Sequence, residues 1–272
     1  MAHNQFGNDG SLGPPQFSPD GSALLAGAND NLAENLYLFS LDGSRARALT
    51  NYVGTAKTDG RWAQDAQYSP NGTHIAFRRG SSQETDVVFI DSGGGHDRRV
   101  TRALQGKVET PQWMADDVLV TYRNGAFVAI DTSGVPPDSV RVPDSIGHAR
   151  GMWMNRKEQS LYFATSRNAI AAADFRSHTS REIVRHADPL AVVGWLSSGV
   201  LLVTDARRGK GAALGSVFRV DEGGKLTRVA STPSRCYRVS LNRAGTMLAC
   251  LRETVASDVI LASAITPSDR VK

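Results

Sequence analysis

The chain has 272 residues, of which 40% are hydrophobic and 21% are charged, and its net charge is +4 at neutral pH. These values are typical of a globular protein with a large buried core, and they exclude a disordered or fibrous chain. No apolar run reaches the ~18 residues of a membrane-spanning helix. Basic residues are spread along the chain rather than clustered, so we expect neither membrane insertion nor a nucleic-acid partner.

Residues 1–16 are rich in Gly, Asn and Pro and irregular, and the first strongly patterned stretch follows them. In order, it predicts a strand that ends at Phe17, a turn at Ser18–Gly21, strands at Ala23–Ala28 and Leu36–Leu41, a turn at Asp42–Gly43 and an outer strand at Ala46–Thr50. Pro fixes φ, Asp bonds the backbone ahead of it and Gly accepts positive φ, so Pro-Asp-Gly between apolar runs indicates a hairpin. Two hairpins without helical periodicity predict a four-stranded antiparallel sheet.

This pattern returns along the whole chain. The aromatic residue that ends the first strand recurs, weakening to leucine in the last repeat, as Phe17, Tyr68, Trp113, Trp153, Trp195 and Leu241. An acid follows the third strand of five repeats, as Asp42, Asp91, Asp131, Asp174 and Asp221. A period of roughly 40–50 residues with four strands per unit is typical of β-propellers, because such sheets bury their faces by stacking radially.

The sequence therefore predicts an all-β fold: one domain at 17–272 that forms a six-bladed β-propeller of four-stranded antiparallel blades. The blades start near residues 17, 68, 113, 153, 195 and 241. The last blade has only Arg270–Lys272 for its outer strand, and residues 1–16 offer no strand to complete it. We therefore expect the last blade to be incomplete, or the ring to be weakly closed.

Two segments carry a family resemblance. They are FSPDG at Phe17–Gly21 and YSPNG at Tyr68–Gly72, each followed by a strand, a loop, a strand, an Asp and a basic outer strand. These units resemble the PD40 repeats of bacterial TolB-type, WD40-like propellers, and the resemblance implies a periplasmic protein that binds a protein or peptide. The N-terminus shows neither a basic start nor an apolar segment, so a cytoplasmic location stays open.

Arginine recurs at one end of the predicted blades. In a propeller, the loops between second and third strands share a face with the connections between blades, and ligands bind there. Arginine ends the second strand or begins this loop in five blades, at Arg79, Arg123, Arg167, Arg207 and Arg252. One interpretation is that these side chains cover strand edges while staying solvated. The other is a basic face for an acidic protein or peptide, since Arg pairs with carboxylates in bidentate fashion.

Other residue types carry less information about chemistry. The repeated tryptophans are expected to pack between blades, whereas Trp62 lies in a connection between blades and is a candidate ligand contact. The six histidines are scattered without the spacing of metal ligands or of a catalytic triad. No G-x-S-x-G motif occurs. We therefore expect no catalytic residue, no metal and no cofactor, and we expect a monomer.

Two hypotheses of function follow from this sequence. The first is a non-catalytic, TolB-like binding module that recognises an acidic protein or peptide through the arginine-rich face. The second is the substrate-gating propeller of a prolyl-oligopeptidase-type serine peptidase, because the segment from Leu248 to Lys272 resembles the last blade of that family, although this chain has no hydrolase domain. A propeller enzyme with its own metal on the channel axis is less favoured, because no ligand cluster is visible.

The two cysteines, Cys236 and Cys250, flank a predicted hairpin around Asn242–Gly245. Counting outward from the turn places them on neighbouring strands in diagonal rather than directly opposed positions, which suits a disulfide poorly. Two buried thiols that pack as small hydrophobic groups are the favoured interpretation, and a disulfide is the alternative.

Overall fold

The computed structural model describes residues 15–29, 33–53, 62–80, 85–95, 97–101, 108–133, 138–196, 201–205, 216–221, 223–231, 236–242, 245–252 and 258–262. Within these ranges the chain forms 23 strands in six sheets, and every strand pair is antiparallel. Five sheets have four strands in sequence order and the sixth has three. The predicted all-β propeller of four-stranded blades is therefore confirmed.

The blades follow one another along the chain, each running from its inner to its outer strand. Blade 1 contains β1 (Gln16–Phe17), β2 (Ala23–Asn29), β3 (Glu34–Ser40) and β4 (Ala46–Ala48). Blade 2 contains β5 (Trp62–Tyr68), β6 (His74–Gly80), β7 (Thr85–Asp91) and β8 (Arg98–Arg99). Blade 3 contains β9 (Gln112–Trp113), β10 (Val118–Arg123), β11 (Ala126–Asp131) and β12 (Asp138–Arg141).

The second half repeats this order, and its last blade differs from the others. Blade 4 contains β13 (Ala149–Asn155), β14 (Ser160–Thr165), β15 (Ala169–Asp174) and β16 (Thr179–Arg185). Blade 5 contains β17 (Leu190–Trp195), β18 (Leu201–Asp205), β19 (Ser216–Val220) and β20 (Leu226–Ser231). Blade 6 contains β21 (Cys236–Leu241), β22 (Leu248–Arg252) and β23 (Asp258–Ala262). In the part of the chain that is described, blade 6 thus lacks a fourth strand.

The Pro-Asp-Gly turn of blade 1 has the contacts that its residue types predict. The Ser18 hydroxyl donates to Asp20 Oδ1 (2.5 Å) and accepts from the Ala23 amide (3.0 Å), while Gly21 takes a φ of 74°. In blade 2 the same contacts are made by Ser69, Asn71, His74 and Gly72. The recurring turn therefore fixes the hairpin between the first two strands in both blades.

Buried side chains fill the spaces between neighbouring blades. Between blades 3 and 4, the rings of Phe127 and Phe163 lie 4.8 Å apart, and both are fully buried. Trp113, the repeated aromatic of blade 3, is 1% exposed and donates from Nε1 to the Gln67 carbonyl (3.0 Å) of blade 2. Its predicted packing role is confirmed. The core is thus a series of interfaces between blades rather than one central cluster.

The first and last blades are in contact, which closes the ring. Ala249 of blade 6 is fully buried and packs in one cluster with Leu24, Ala26 and Ala28 of blade 1. Small side chains on both sides allow the two sheets to approach closely. Packing between blade faces therefore joins blades 1 and 6 in the described part of the chain.

The favoured interpretation of the cysteines was wrong. Cys250 is disulfide-bonded, and the described residues contain no free cysteine. The pairing of β21 with β22 shifts register between Tyr237 and Ser240. Counting residues outward from the turn assumed a regular ladder, and it therefore missed this irregularity.

Candidate functional site

The two ends of the blades carry different connections. One end of the blades carries the loops from the second to the third strands and the connections between blades. We call this end the upper face. The lower face carries the other turns, between the first and second and between the third and fourth strands. Of the predicted site residues, Trp62, Arg79, Arg123, Arg167 and Arg252 lie at the upper face, and Arg252 ends β22 opposite Cys236. Arg207 lies outside the described residues.

Arg78 is the centre of a polar cluster between blades 2 and 3. Its Nη2 lies 3.0 Å from Asp65 Oδ2, and its Nη1 lies 3.5 Å from Glu109 Oε2. Nη2 also donates to the Gln64 side chain (3.0 Å). The guanidinium stands over the ring of Trp62, 5.0 Å from its centroid. Trp62, predicted as a ligand contact, therefore already holds a cation of the protein itself on one ring face.

Asp65 reaches Arg78 from an uncommon backbone conformation. Its φ is 57°, and the register of β5 shifts between Gln64 and Gln67. The inner strand of blade 4 shifts in the same way at Gly151, whose φ is 56°. Aspartate tolerates this left-handed region better than most residues. Blade 2 thus places a carboxylate where blade 4 has no side chain.

Arg79 forms a second charged cluster, which joins blade 2 to the connection that leaves blade 1. Its Nη1 is bonded to Asp97, and its Nη2 lies 3.7 Å from Asp86, which also pairs with Arg99 (2.7 Å). The Tyr52 hydroxyl donates to Asp97 (3.0 Å). Burial, reinforced by the negative charge of Asp97, raises the pKa of Tyr52 well above its usual range. The charge of Arg79 is therefore matched inside the protein.

Arg123 has a different environment. It ends β10, on the same side of the strand as Leu119, which packs against blade 2. Its Nε is buried without a hydrogen-bond partner, as the Nε of Arg78 also is, but no described carboxylate forms an ion pair with Arg123. Glu109 runs beside this strand, since its carbonyl accepts from the Thr121 hydroxyl (2.7 Å), but its carboxylate faces Arg78. Within the described part of the chain the Arg123 guanidinium therefore has no anion, a state that costs free energy when a charge is partly buried.

Arg167 lies in the loop between β14 and β15, and it is exposed. Its carbonyl accepts from Arg185 Nη1 (3.3 Å), while the Arg185 guanidinium pairs with Glu182. Gly147, with a φ of 92°, packs so closely that an added Cβ would lie 2.8 Å from the Ser166 hydroxyl. Glycine therefore lets the connection into blade 4 press against this loop. Among the described acids, none forms an ion pair with the Arg167 side chain.

The upper face thus has two parts. The first part, which we call the paired region, consists of three arginines and the four carboxylates that contact them: Arg78, Arg79, Arg99, Asp65, Asp86, Asp97 and Glu109. The second part, which we call the unpaired region, consists of Arg123 and Arg167. Sequence reasoning missed all four carboxylates, because each is a single acid outside the repeated positions and no spacing signals it.

The described residues show neither a metal site nor a membrane span. They contain no group of three or more His, Cys, Asp or Glu side chains that could hold a metal ion. In the same part of the chain, no helix is long and apolar enough to cross a membrane.

Comparison with known proteins gives matches at the level of structure. No family model matches the sequence, and no curated protein matches it. The structure of a putative TolB from Agrobacterium tumefaciens is 20% identical with a TM-score of 0.59, over 81% of this chain and 80% of that one. TolB from Acinetobacter baumannii is 12% identical with a TM-score of 0.58, over 79% of this chain and 53% of that one.

A chain in a structure of the mitotic checkpoint complex is 13% identical with a TM-score of 0.64, over 97% of this chain and 90% of that one. At such low identities the similarity shows the fold alone. The class is therefore a β-propeller. Two of the matched structures are TolB proteins, and the chain is similar to them in fold, as the PD40-like segments predicted.

Proposed function

We propose that this chain is a non-catalytic propeller module that holds an acidic segment of a partner protein or peptide on its upper face. Arg123 carries the proposal, because its partly buried guanidinium has no carboxylate among the described residues. A carboxylate of the partner would supply the missing counter-charge through two parallel hydrogen bonds. Arg167, exposed on the next blade, offers a second point of contact for the same segment.

The paired region has a supporting part in this proposal. Arg79 and Trp62 are held by groups of the protein itself, so we assign to them the positioning of the connections beside the site. Arg207 and Arg252 stay predicted contacts, because Arg207 and the side chain of Arg252 lie outside the described part of the chain. TolB-type propellers and the propeller of the checkpoint complex share this fold, which supports a protein as the partner.

The test measures the binding of a labelled peptide of alternating Glu and Gly residues. Fluorescence anisotropy gives the affinity at several salt concentrations. We expect Arg123→Gln combined with Arg167→Gln to weaken binding at least about tenfold, because a charge-assisted hydrogen bond contributes ~1.5 kcal/mol and ~1.4 kcal/mol is a factor of ten. The salt dependence should become shallower, since fewer ions are displaced.

The matched control is Arg45→Gln, which removes an exposed arginine at the lower face and should leave the affinity unchanged. A peptide that alternates Gln and Gly should bind far more weakly than the acidic one. Equal binding of the two peptides, or full affinity in the double variant, would contradict the proposal. The peptidase-propeller alternative stays a prediction, because no described residue tests it.

A further inference from the structure

A pocket of about 420 Å³ opens on the lower half of blade 4, on the side that faces blade 5. Its walls include Ser160, Tyr162, Ala172, Asp174, Arg176 and Arg181. Pockets of this volume accommodate small organic molecules. It lies at the opposite end of the strands from the site proposed above, so it requires a separate explanation.

The pocket exists because blade 4 has smaller side chains than blade 2 at two positions, Ser160 and Ala172. Strand register makes these residues of blades 4 and 2 equivalent: Ser160 and His74, Tyr162 and Ala76, Ala172 and Phe89, Asp174 and Asp91, Arg181 and Arg98. In blade 2 the ring of Phe89 fills the space, 5.4 Å from His74 and 6.4 Å from Trp113 between ring centroids. Alanine and serine leave that space empty in blade 4.

Blade 4 has its aromatic side chain at a position nearer the inner strand. Tyr162 stands where blade 2 has an alanine, and its ring packs edge-on against Trp195, 4.9 Å between centroids. This aromatic pair closes the inner end of the pocket and leaves the outer part over Ala172 open. Ala172 of β15 forms a small apolar floor, while its neighbours Ala171 and Ala173 face blade 3 on the other side of the sheet.

The arginine on the outer strand differs from its equivalents in its partners. Arg98 of blade 2 pairs with Asp91 (3.0 Å) and lies over the Phe89 ring. Arg47, the corresponding residue of blade 1, donates to the Gly93 carbonyl (2.8 Å) of the next blade. The side chain of Arg181 has neither a hydrogen bond nor an ion pair within the described residues.

The acids that line the pocket are already engaged. Asp174 accepts from the backbone amides of Arg176 (2.8 Å) and Ser177 (3.0 Å). Glu158 accepts from the Tyr162 hydroxyl (3.1 Å). The guanidinium of Arg176 donates to the Lys157 carbonyl (3.0 Å). The pocket therefore combines the unpaired guanidinium of Arg181 and the ammonium of Lys157 with hydroxyl groups and a small apolar floor.

We propose that this pocket binds a small organic acid that carries one carboxylate and several hydroxyl groups. The fork of Arg181 pairs with the carboxylate in bidentate fashion. The hydroxyls of Ser160 and Thr179 exchange hydrogen bonds with those of the ligand, and its carbon chain lies over Ala172. Selectivity comes from the arginine, because the remaining contacts would suit a neutral polyol equally well.

The probes are gluconate and sorbitol, two six-carbon polyols that differ in the carboxylate. Isothermal titration calorimetry should detect millimolar binding of gluconate and no binding of sorbitol. Arg181→Gln, at an exposed position, should weaken gluconate binding at least about tenfold. Ala172→Phe combined with Ser160→His, which copies the filled interface of blade 2, should abolish it. A melting temperature for each variant shows that the fold is kept.

Several results would overturn the assignment. Equal binding of sorbitol would remove the role of the carboxylate, and sulfate that competes as well as gluconate would remove the role of the hydroxyls. Unchanged affinity in Arg181→Gln, or no gluconate binding at millimolar concentration, would remove the site. Arg123→Gln with Arg167→Gln should leave gluconate binding intact, so failure of this proposal and of the peptide site are distinguishable.

Discussion

The paired and unpaired regions of the upper face use the same residue type in opposite ways. Around blade 2, Arg78 and Arg79 are surrounded by carboxylates that come from the inner strand, the third strand and the connection before the outer strand. One blade further, Arg123 ends an equivalent strand and meets no described carboxylate. A repeated arginine therefore does not define the charge of a face, because the acids that neutralise it come from other strands.

The difference has an energetic consequence. In the paired region, each arginine and its carboxylates neutralise one another. Removal of one partner leaves the remaining charges partly buried without a counter-charge, which destabilises the fold. An uncompensated cation costs stability instead, and it persists where a ligand uses it. Substitutions in the two regions should therefore change the free energy of unfolding in different directions.

The largest effect is expected for Arg78→Leu. Its loss leaves Asp65, whose side chain is 9% exposed, without a cation, and it uncovers the ring of Trp62. We expect the free energy of unfolding to fall by about 3 kcal/mol, measured by urea denaturation.

A double-mutant cycle with Asp65→Asn isolates the ion pair, and asparagine tolerates the left-handed φ as aspartate does. The double variant should lose less than the two single losses together, because each removes the same interaction. Arg45→Leu, at an exposed arginine, is the control and should change stability by less than about 0.5 kcal/mol. Additive losses in the cycle would show that Arg78 acts through packing and not through the carboxylate.

An intermediate effect is expected for Tyr52→Phe, which removes the hydroxyl that donates to Asp97. The loss should be about 1.5 kcal/mol at neutral pH, as for a hydrogen bond to a charged group. The pKa of Tyr52 is higher in the folded protein than its ordinary value of 10.0. Its contribution is therefore complete below pH 10 and declines as the pH rises above that value, toward the folded pKa.

Urea denaturation across this alkaline range checks the sign of the effect. The wild type should lose more stability than Tyr52→Phe on going above pH 10, so the two curves should converge. Parallel curves would mean that the hydroxyl is not a donor to Asp97 in the folded state. Among the described residues, no tyrosine hydroxyl forms a hydrogen bond with a partner of Arg123 or Arg167. Variants of these two arginines should therefore lose stability above pH 10 as the wild type does.

Local sequence chemistry was sufficient to predict most of the fold. The strand predicted at Ala23–Ala28 is observed at Ala23–Asn29, because the Ser18–Gly21 turn fixes where it begins. Contacts between distant segments were not predictable in the same way. Asp97 and Arg79 meet only after β6, β7 and the following turn have formed, and no repeat or motif signals their contact.

Hairpin order was enough to predict that Arg79 and Arg123 lie near the ends of their second strands. Their part in binding stays a prediction. Which of them is neutralised depends on the irregular backbone at Asp65 and on the side to which Glu109 turns. Such details follow from packing between blades, and single-strand patterns do not contain them.

The smallest effect is expected for Arg123→Gln, and its direction distinguishes the two regions most clearly. Glutamine keeps much of the stem and removes a guanidinium whose Nε is buried without a partner. We therefore expect stability to stay within about 0.5 kcal/mol of the wild type or to rise, while affinity for the acidic peptide falls. A loss comparable to that of Arg78→Leu would mean that Arg123 is held by the fold as firmly as the arginines of blade 2, and the upper face would then have no unpaired region to offer a partner.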